Sequence, residues 1–181
     1  MKRITTAVAV VLLALFVGCG KDNPAKPTLP GPKYLPSSTP FNVLDNLKVA
    51  YTTRDSTGYD SLFDVNYTGS SIDQTDASVL NFSRSDEARH INALARTRTI
   101  SSIRLDLPPS MTRTRDAGDP PGWASVQPYG LVIEIDDGPM SMFLQTGTSE
   151  TMEFRFAPTT PSPGSPTDTT WHIVRWTEIR S

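Results

Sequence analysis

The chain is sparing with the side chains that do nucleophilic and metal chemistry: 181 residues include one cysteine, Cys19, and two histidines, His90 and His172. A His/Cys metal cluster is therefore set aside. Glycine-rich phosphate loops, a nucleophile elbow and the HExxH pattern are also missing from the sequence. Neither a metal nor a cofactor is expected. His90 follows Asp86 at i, i+4 spacing, so on a helix the two share a face and would form a general base if that face opened into a pocket. The plainer reading is a solvated helix pair. Glu134, Asp136 and Asp137 gather on or beside one hairpin, as a calcium or substrate site would need, but no loop of alternating oxygen donors surrounds them. A solvated hairpin end is favoured. The weak catalytic candidates are thus His90, Asp86 and Glu134, and no catalytic residue is assigned. His172 alternates with Val174 and Trp176 on one face of the last strand, while Trp171, Ile173 and Arg175 take the other. Met140 and Met142 have the spacing of one strand face and suit core packing rather than copper.

Cys19 carries a different chemistry. Lys2 and Arg3 give a cationic start, Ala7 to Val17 is unbroken by any polar residue, and Gly18 precedes Cys19. That order is a secretory signal peptide, too short for a span of roughly 20 apolar residues. Leu15-Phe16-Val17-Gly18-Cys19 resembles the bacterial lipobox, with Phe16 departing from the usual leucine. The resemblance implies cleavage before Cys19, acylation of its thiol, and anchoring to a bilayer by chains that each contribute about 0.8 kcal/mol per buried methylene. Gly20, not being Asp, implies forwarding to the outer membrane, on its periplasmic face, if the envelope has two membranes.

Cleavage would leave 163 residues and remove Lys2 and Arg3, so 15 basic residues would face 19 acidic ones. Such a balance gives no reason to expect nucleic acid as a partner. From Gly20 to Ser38 the chain holds five prolines and reads as an extended spacer, making residues 19–38 a lipidated tether and 39–181 one domain.

The elements that would position the candidate residues begin at Thr39-Pro40, an N-cap followed by proline at the first helical position. Val43, Leu44, Leu47, Ala50 and Tyr51 follow as an apolar stripe that should stop near Arg54-Asp55. Ser56 is expected to cap a short second helix carrying Tyr59, Leu62 and Phe63. Short strands are expected at Val65–Thr68 and Val79–Phe82. A third helix opens at Ser85, with Ala88, Ile91, Leu94 and Ala95 as its buried stripe and acids in its first turn. Period-two alternation then predicts strands at 103–107, 129–136, 140–145, 152–156 and 171–179, with Asp137-Gly138 as a hairpin turn and Gly147 as a bulge.

Helices first and a mostly antiparallel sheet after them argue for an α+β fold, with N-terminal helices packed on a curved, continuous sheet. The opening PFNVLDNLKVAYTTRDSTGYDSLF and the closing WHIVRWTEIR resemble the segments that begin and end small bacterial members of the nuclear transport factor 2-like superfamily, also called the cystatin-like or ketosteroid-isomerase-like cone. The resemblance spans roughly residues 39–180. It implies a cone whose open end can hold a site, but the superfamily contains isomerases, dehydratases, binding proteins and adaptors, so it implies no single activity. Two functions compete. The first is a non-catalytic envelope lipoprotein binding a small apolar ligand or another protein. The second is a cone-type isomerase or dehydratase with an Asp/Glu–His acid–base pair. A cavity holding a buried carboxylate beside a histidine would favour the enzyme; a filled cone or an exposed apolar sheet face would favour a partner.

Overall fold

Thr39 starts the first helix as its position requires: its backbone is extended and its Oγ1 accepts from the Asn42 N–H at 3.1 Å. The computed structural model describes residues 33–147, 149–159 and 169–180. The signal segment, Cys19, most of the spacer and most of the proline-rich run 159–170 lie outside them.

Helix α1 (Pro40–Thr53) buries Val43, Leu44, Leu47 and Ala50 completely. It ends at Arg54, whose φ of 57° is left-handed and whose guanidinium donates to the Ile100 carbonyl at 2.8 Å. The next helix, α2 (Ser56–Asp60), is capped one residue earlier than expected, by Asp55 Oδ1, which accepts from the Thr57 and Gly58 N–H groups. Carboxylates are as good at this position as hydroxyls. Helix α3 (Arg84–Arg96) also starts early: Ser83, not Ser85, precedes it, and the Ser83 N–H and hydroxyl both donate to Asp86 Oδ2 at 2.7 Å. Ala95 is exposed, so the buried stripe is narrower than its apolar residues suggested.

The strands are β1 (Phe63–Asp73), β2 (Ser78–Ser83), β3 (Ser102–Asp106), β4 (Arg113–Thr114), β5 (Ala124–Val126), β6 (Val132–Asp136), β7 (Met142–Gln145), β8 (Glu150–Thr159) and β9 (Thr170–Arg180). They form two sheets in place of the continuous one expected: β2-β1-β9-β8-β5-β4 and β3-β6-β7. Among the described residues every pairing is antiparallel except β1 with β9. Helix α1 packs against β3 of the smaller sheet and β9 of the larger one, so its apolar stripe closes the core between them. The α+β expectation is met. Gly147 is not a bulge within a strand; it lies in the turn where the chain leaves the smaller sheet for the larger, its N–H donating to the Glu150 carbonyl.

One irregularity decides which side chains face inward on β9. Arg155 pairs with Arg175, but Phe156 pairs with Ile173, so Val174 is an extra residue on β9. A bulge of this kind flips the alternation. Trp171 and Ile173 are buried before it and Trp176 after it, and Arg175 is exposed. The strict alternation that grouped Trp171, Ile173 and Arg175 on one face, with Trp176 on the other, is thereby corrected.

The domain also extends further toward the N-terminus than residue 39. The buried Asn46 side chain accepts from the Leu35 N–H and donates to the Leu35 carbonyl, both at 2.8 Å. The Ser37 carbonyl accepts from the Trp171 N–H, and the Tyr34 hydroxyl donates to Asp55 Oδ2 at 2.6 Å. Residues 34–37, read from sequence as spacer, are docked on the folded part.

Candidate functional site

Glu87 is the side chain on which the site is built. It projects from the first turn of α3 one turn before the fully buried Ile91, so the geometry of the helix carries a carboxylate into the core; it is 7% exposed. A buried carboxylate needs hydrogen bonds to persist, and two phenols supply them. Tyr59 donates to Oε2 at 2.7 Å and Tyr67 to Oε1 at 2.8 Å. Tyr59 comes from α2 and Tyr67 from β1, and the chain of ring contacts Tyr59–Phe63–Tyr67, with centroids 4.9 and 4.7 Å apart, fixes both hydroxyls. Burial raises the Glu87 carboxyl above its ordinary value. The two hydroxyls pull it back, and the Glu178 and Asp86 charges push it up again.

Glu87 borders a half-open cavity of about 300 Å³. Its apolar lining comes from Phe82 of β2, Ile133 of β6, Met142 and Leu144 of β7, and Trp176 of β9; its polar lining comes from Asp86, Glu87 and His90 of α3, Tyr51, Tyr59 and Glu178. The bulge at Val174 matters here, because the register it sets puts Trp176 and Glu178 on the cavity side. Trp176 is 5% exposed and its indole N–H is buried without a hydrogen-bond partner among the described residues. Gly69 of β1 lies opposite both Phe82 and Trp176 in the sheet. A Cβ on Gly69 would collide with the Phe82 ring and stand 2.6 Å from the Tyr67 hydroxyl. Only glycine lets the Phe82 wall and the tyrosine clamp close together.

His90 lines the cavity, and its Nε2 is 3.0 Å from the Tyr51 hydroxyl with the two rings stacked. Desolvation lowers the imidazole from its ordinary value, opposed by the Glu178 charge. The Asp86–His90 pair does not form. Asp86 instead accepts from the Ser83 N–H and hydroxyl, which with the Arg89 pair hold its carboxyl down at about 2. Asp86 is thus a helix cap that also edges the cavity. Glu134 is elsewhere: it faces Arg104 at 3.3 Å on the outer side of β6. Asp136 accepts from Ser101, Ser141 and the Gly138 N–H, which lower its carboxyl. His172 hydrogen-bonds Thr159 at 2.9 Å, away from the cavity. Met140 and Met142 are not core residues; Met140, in the turn before β7, is 78% exposed and Met142, the first residue of β7, 45%.

Of the residues singled out from the sequence, His90 and Asp86 line the cavity and Glu134 does not, whereas Glu87, Tyr59, Tyr67 and Glu178 were not singled out as site candidates. The signal was present for Glu87, which lies at i, i+4 and i+7 from Ile91 and Leu94. An acid inside an apolar stripe marks a buried carboxylate, yet the first-turn dipole explained the same residue blandly. Tyr67 and Glu178 depended on pairing and bulge geometry that no local pattern carries.

No protein-family model matches the sequence, and no curated protein is significantly similar to it. Solved structures do resemble the fold. An NTF2-like protein of unknown function in nutrient uptake from Rhodospirillum rubrum superimposes with a TM-score of 0.51 at 18% identity, covering 77% of this chain and 95% of that one. The beta subunit of a putative aromatic-ring-hydroxylating dioxygenase from Novosphingobium aromaticivorans gives 0.52 at 13%, covering 80% and 88%. A protein from Kribbella flavida gives 0.52 at 11%, covering 78% and 87%. The chain therefore has the nuclear transport factor 2-like cone fold. Identities this low carry the architecture and no activity.

Proposed function

We propose that this chain is an exported, lipid-anchored binding protein whose cone takes up a small, largely apolar molecule, holding its polar end at Glu87, Tyr51 and His90. The observation that carries the reading is the cavity itself: about 300 Å³, lined by apolar and aromatic side chains together with a buried, doubly hydrogen-bonded carboxylate. This is the composition of a small-molecule site, mostly apolar with a few fixed polar groups. The cavity does bring together a buried carboxylate and a histidine, as an acid–base enzyme would need, but both Glu87 oxygens accept from phenols and His90 Nε2 is engaged by the Tyr51 hydroxyl, so the binding reading comes first. The anchor rests on the signal segment and Cys19 in the sequence. Among the described residues no helix is long and apolar enough to cross a membrane.

Two experiments test this. Thermal melts of the full chain against small apolar and amphiphilic compounds should find at least one that raises Tm. Occupancy at a hundred times Kd contributes about 2.7 kcal/mol, or roughly 5–10 °C for a domain of this size. Leu144→Trp, which fills the cavity, should abolish the shift without unfolding the protein; a shift that survives the filling contradicts the reading. For the anchor, mass spectrometry of the chain made in a bacterial host should show an acylated Cys19 at the N-terminus, absent in Cys19→Ser; an unmodified cysteine overturns it.

A second reading, the isomerase or dehydratase, draws on His90 with its Tyr51 partner in the same cavity as a carboxyl raised by burial. It requires exchange of α-protons of a carbonyl compound with solvent deuterium at a rate that Glu87→Gln and His90→Gln both lower. Exchange indifferent to both substitutions rules that chemistry out.

A further inference from the structure

Charge distribution around the cavity narrows the ligand class, given that the cavity is a ligand site. Asp86, Glu87 and Glu178 border it, and no Lys or Arg among the described residues does. Two of the three acids have their own cations: Asp86 pairs with Arg89, and Glu178 with Arg180 at 3.0 Å. Glu87 has none. Its partners are the two uncharged phenols, and among the described residues no ion pair reaches it. A charge 93% removed from solvent without a counter-charge is costly to the fold. Burial already disfavours the ionised form, as the upward shift of its carboxyl records. The rings of Tyr51, Tyr59, Phe82 and Trp176 line the same space, and aromatic faces attract cations while repelling anions.

We infer that the ligand is a small organic cation, a substituted ammonium whose charge rests against Glu87 and the aromatic faces and whose carbon substituents lie against Ile133, Met142 and Leu144. An anionic ligand would meet three carboxylates without a basic side chain in contact. A neutral apolar one would fill the volume and leave Glu87 uncompensated. Alkyl substituents on nitrogen suit the site better than a bare ammonium, because the wall offers few acceptors to replace lost water.

The test uses choline and its uncharged carbon isostere, 3,3-dimethylbutan-1-ol, titrated calorimetrically into the full chain, with Glu87→Gln as the variant and circular dichroism to confirm that it folds. Choline should bind about tenfold or more tightly than the alcohol, and Glu87→Gln should bring the two to parity by weakening choline alone. The comparison of the two ligands on the unsubstituted protein decides the matter even if the variant does not fold. Equal binding of both compounds, or tighter binding of the alcohol, overturns the cation inference and leaves the cavity as a ligand site. Binding of neither, together with no stabilising compound in the melts above, overturns both.

Discussion

Tyr67→Phe removes one hydroxyl and leaves the ring that packs on Phe63, so it isolates what a phenol contributes to a buried carboxylate. The Tyr67 hydroxyl donates to Glu87 Oε1 at 2.8 Å, and Glu87 is 7% exposed, so no water replaces it readily. Hydrogen bonds to charged groups contribute about 1.5–3 kcal/mol, those between neutral groups about 0.5–1.5. The sign follows from linkage. The Glu87 carboxyl is raised in the folded protein, so its ionisation costs stability as pH rises through the folded value, and the two tyrosines offset that cost. Removing one should therefore be most damaging at neutral pH and fade when Glu87 is protonated. At pH 7.5 the variant should melt roughly 4–10 °C below the parent protein, taking 2–4 °C per kcal/mol for a domain of this length. Near pH 4 the difference should shrink to half or less. Asp86, Glu178, Tyr51, Tyr59, Tyr67 and His90 are the titratable groups around Glu87, and only Tyr67 differs between the two proteins, so subtracting the curves isolates its bond. In a Glu87→Gln background the same substitution should show no such pH dependence. A depression equal at both pH values, or none at pH 7.5, would refute the clamp.

Other substitutions probe the frame around the site. Gly69→Ala should cost about 1–3 kcal/mol, as overpacking does, and weaken ligand binding because either the Phe82 wall or the Tyr67 hydroxyl must move; unaltered melting and binding would show that the strand shifts freely. Arg155 holds Asp119, Asp116 and Glu153 at 2.6, 2.5 and 2.8 Å, and the Asp119 side chain is 3% exposed. Arg155→Met should lower the unfolding free energy in urea by about 3–5 kcal/mol, with Arg155→Met/Asp119→Asn recovering part of it. Thr39→Ala, which deletes the cap of α1, should cost about 1 kcal/mol in the same assay.

Local pattern carried the elements whose signals are local. The Thr39-Pro40 start, the α1 stripe, and the alternation of Met152, Phe154 and Phe156 in β8 are set by side chains within a few residues of one another, and each stands where expected. The strands β4 and β5 were not foreseen. They are two and three residues long, and Ala124–Val126 is buried throughout, so it shows no alternation to detect. The break between the two sheets and the bulge at Val174 arise from pairing between strands distant in sequence, which periodicity does not encode. The candidate site was legible in part for the same reason. His90 and Asp86 attract notice by type and spacing, but Asp86 satisfies its own helix terminus. The carboxylate that matters is its neighbour, made important by Tyr59, Tyr67 and Glu178 arriving from three other elements.

The most direct test of the account is methyl-resolved NMR of the full chain titrated with choline and with 3,3-dimethylbutan-1-ol. The account predicts saturable shifts confined to the Ile133, Met142 and Leu144 methyls and the Trp176 indole, stronger for the cation and abolished by Leu144→Trp. Shifts that do not saturate, or that appear on the exposed Val79 and Leu80 of β2 and leave the cavity methyls unmoved, would contradict it.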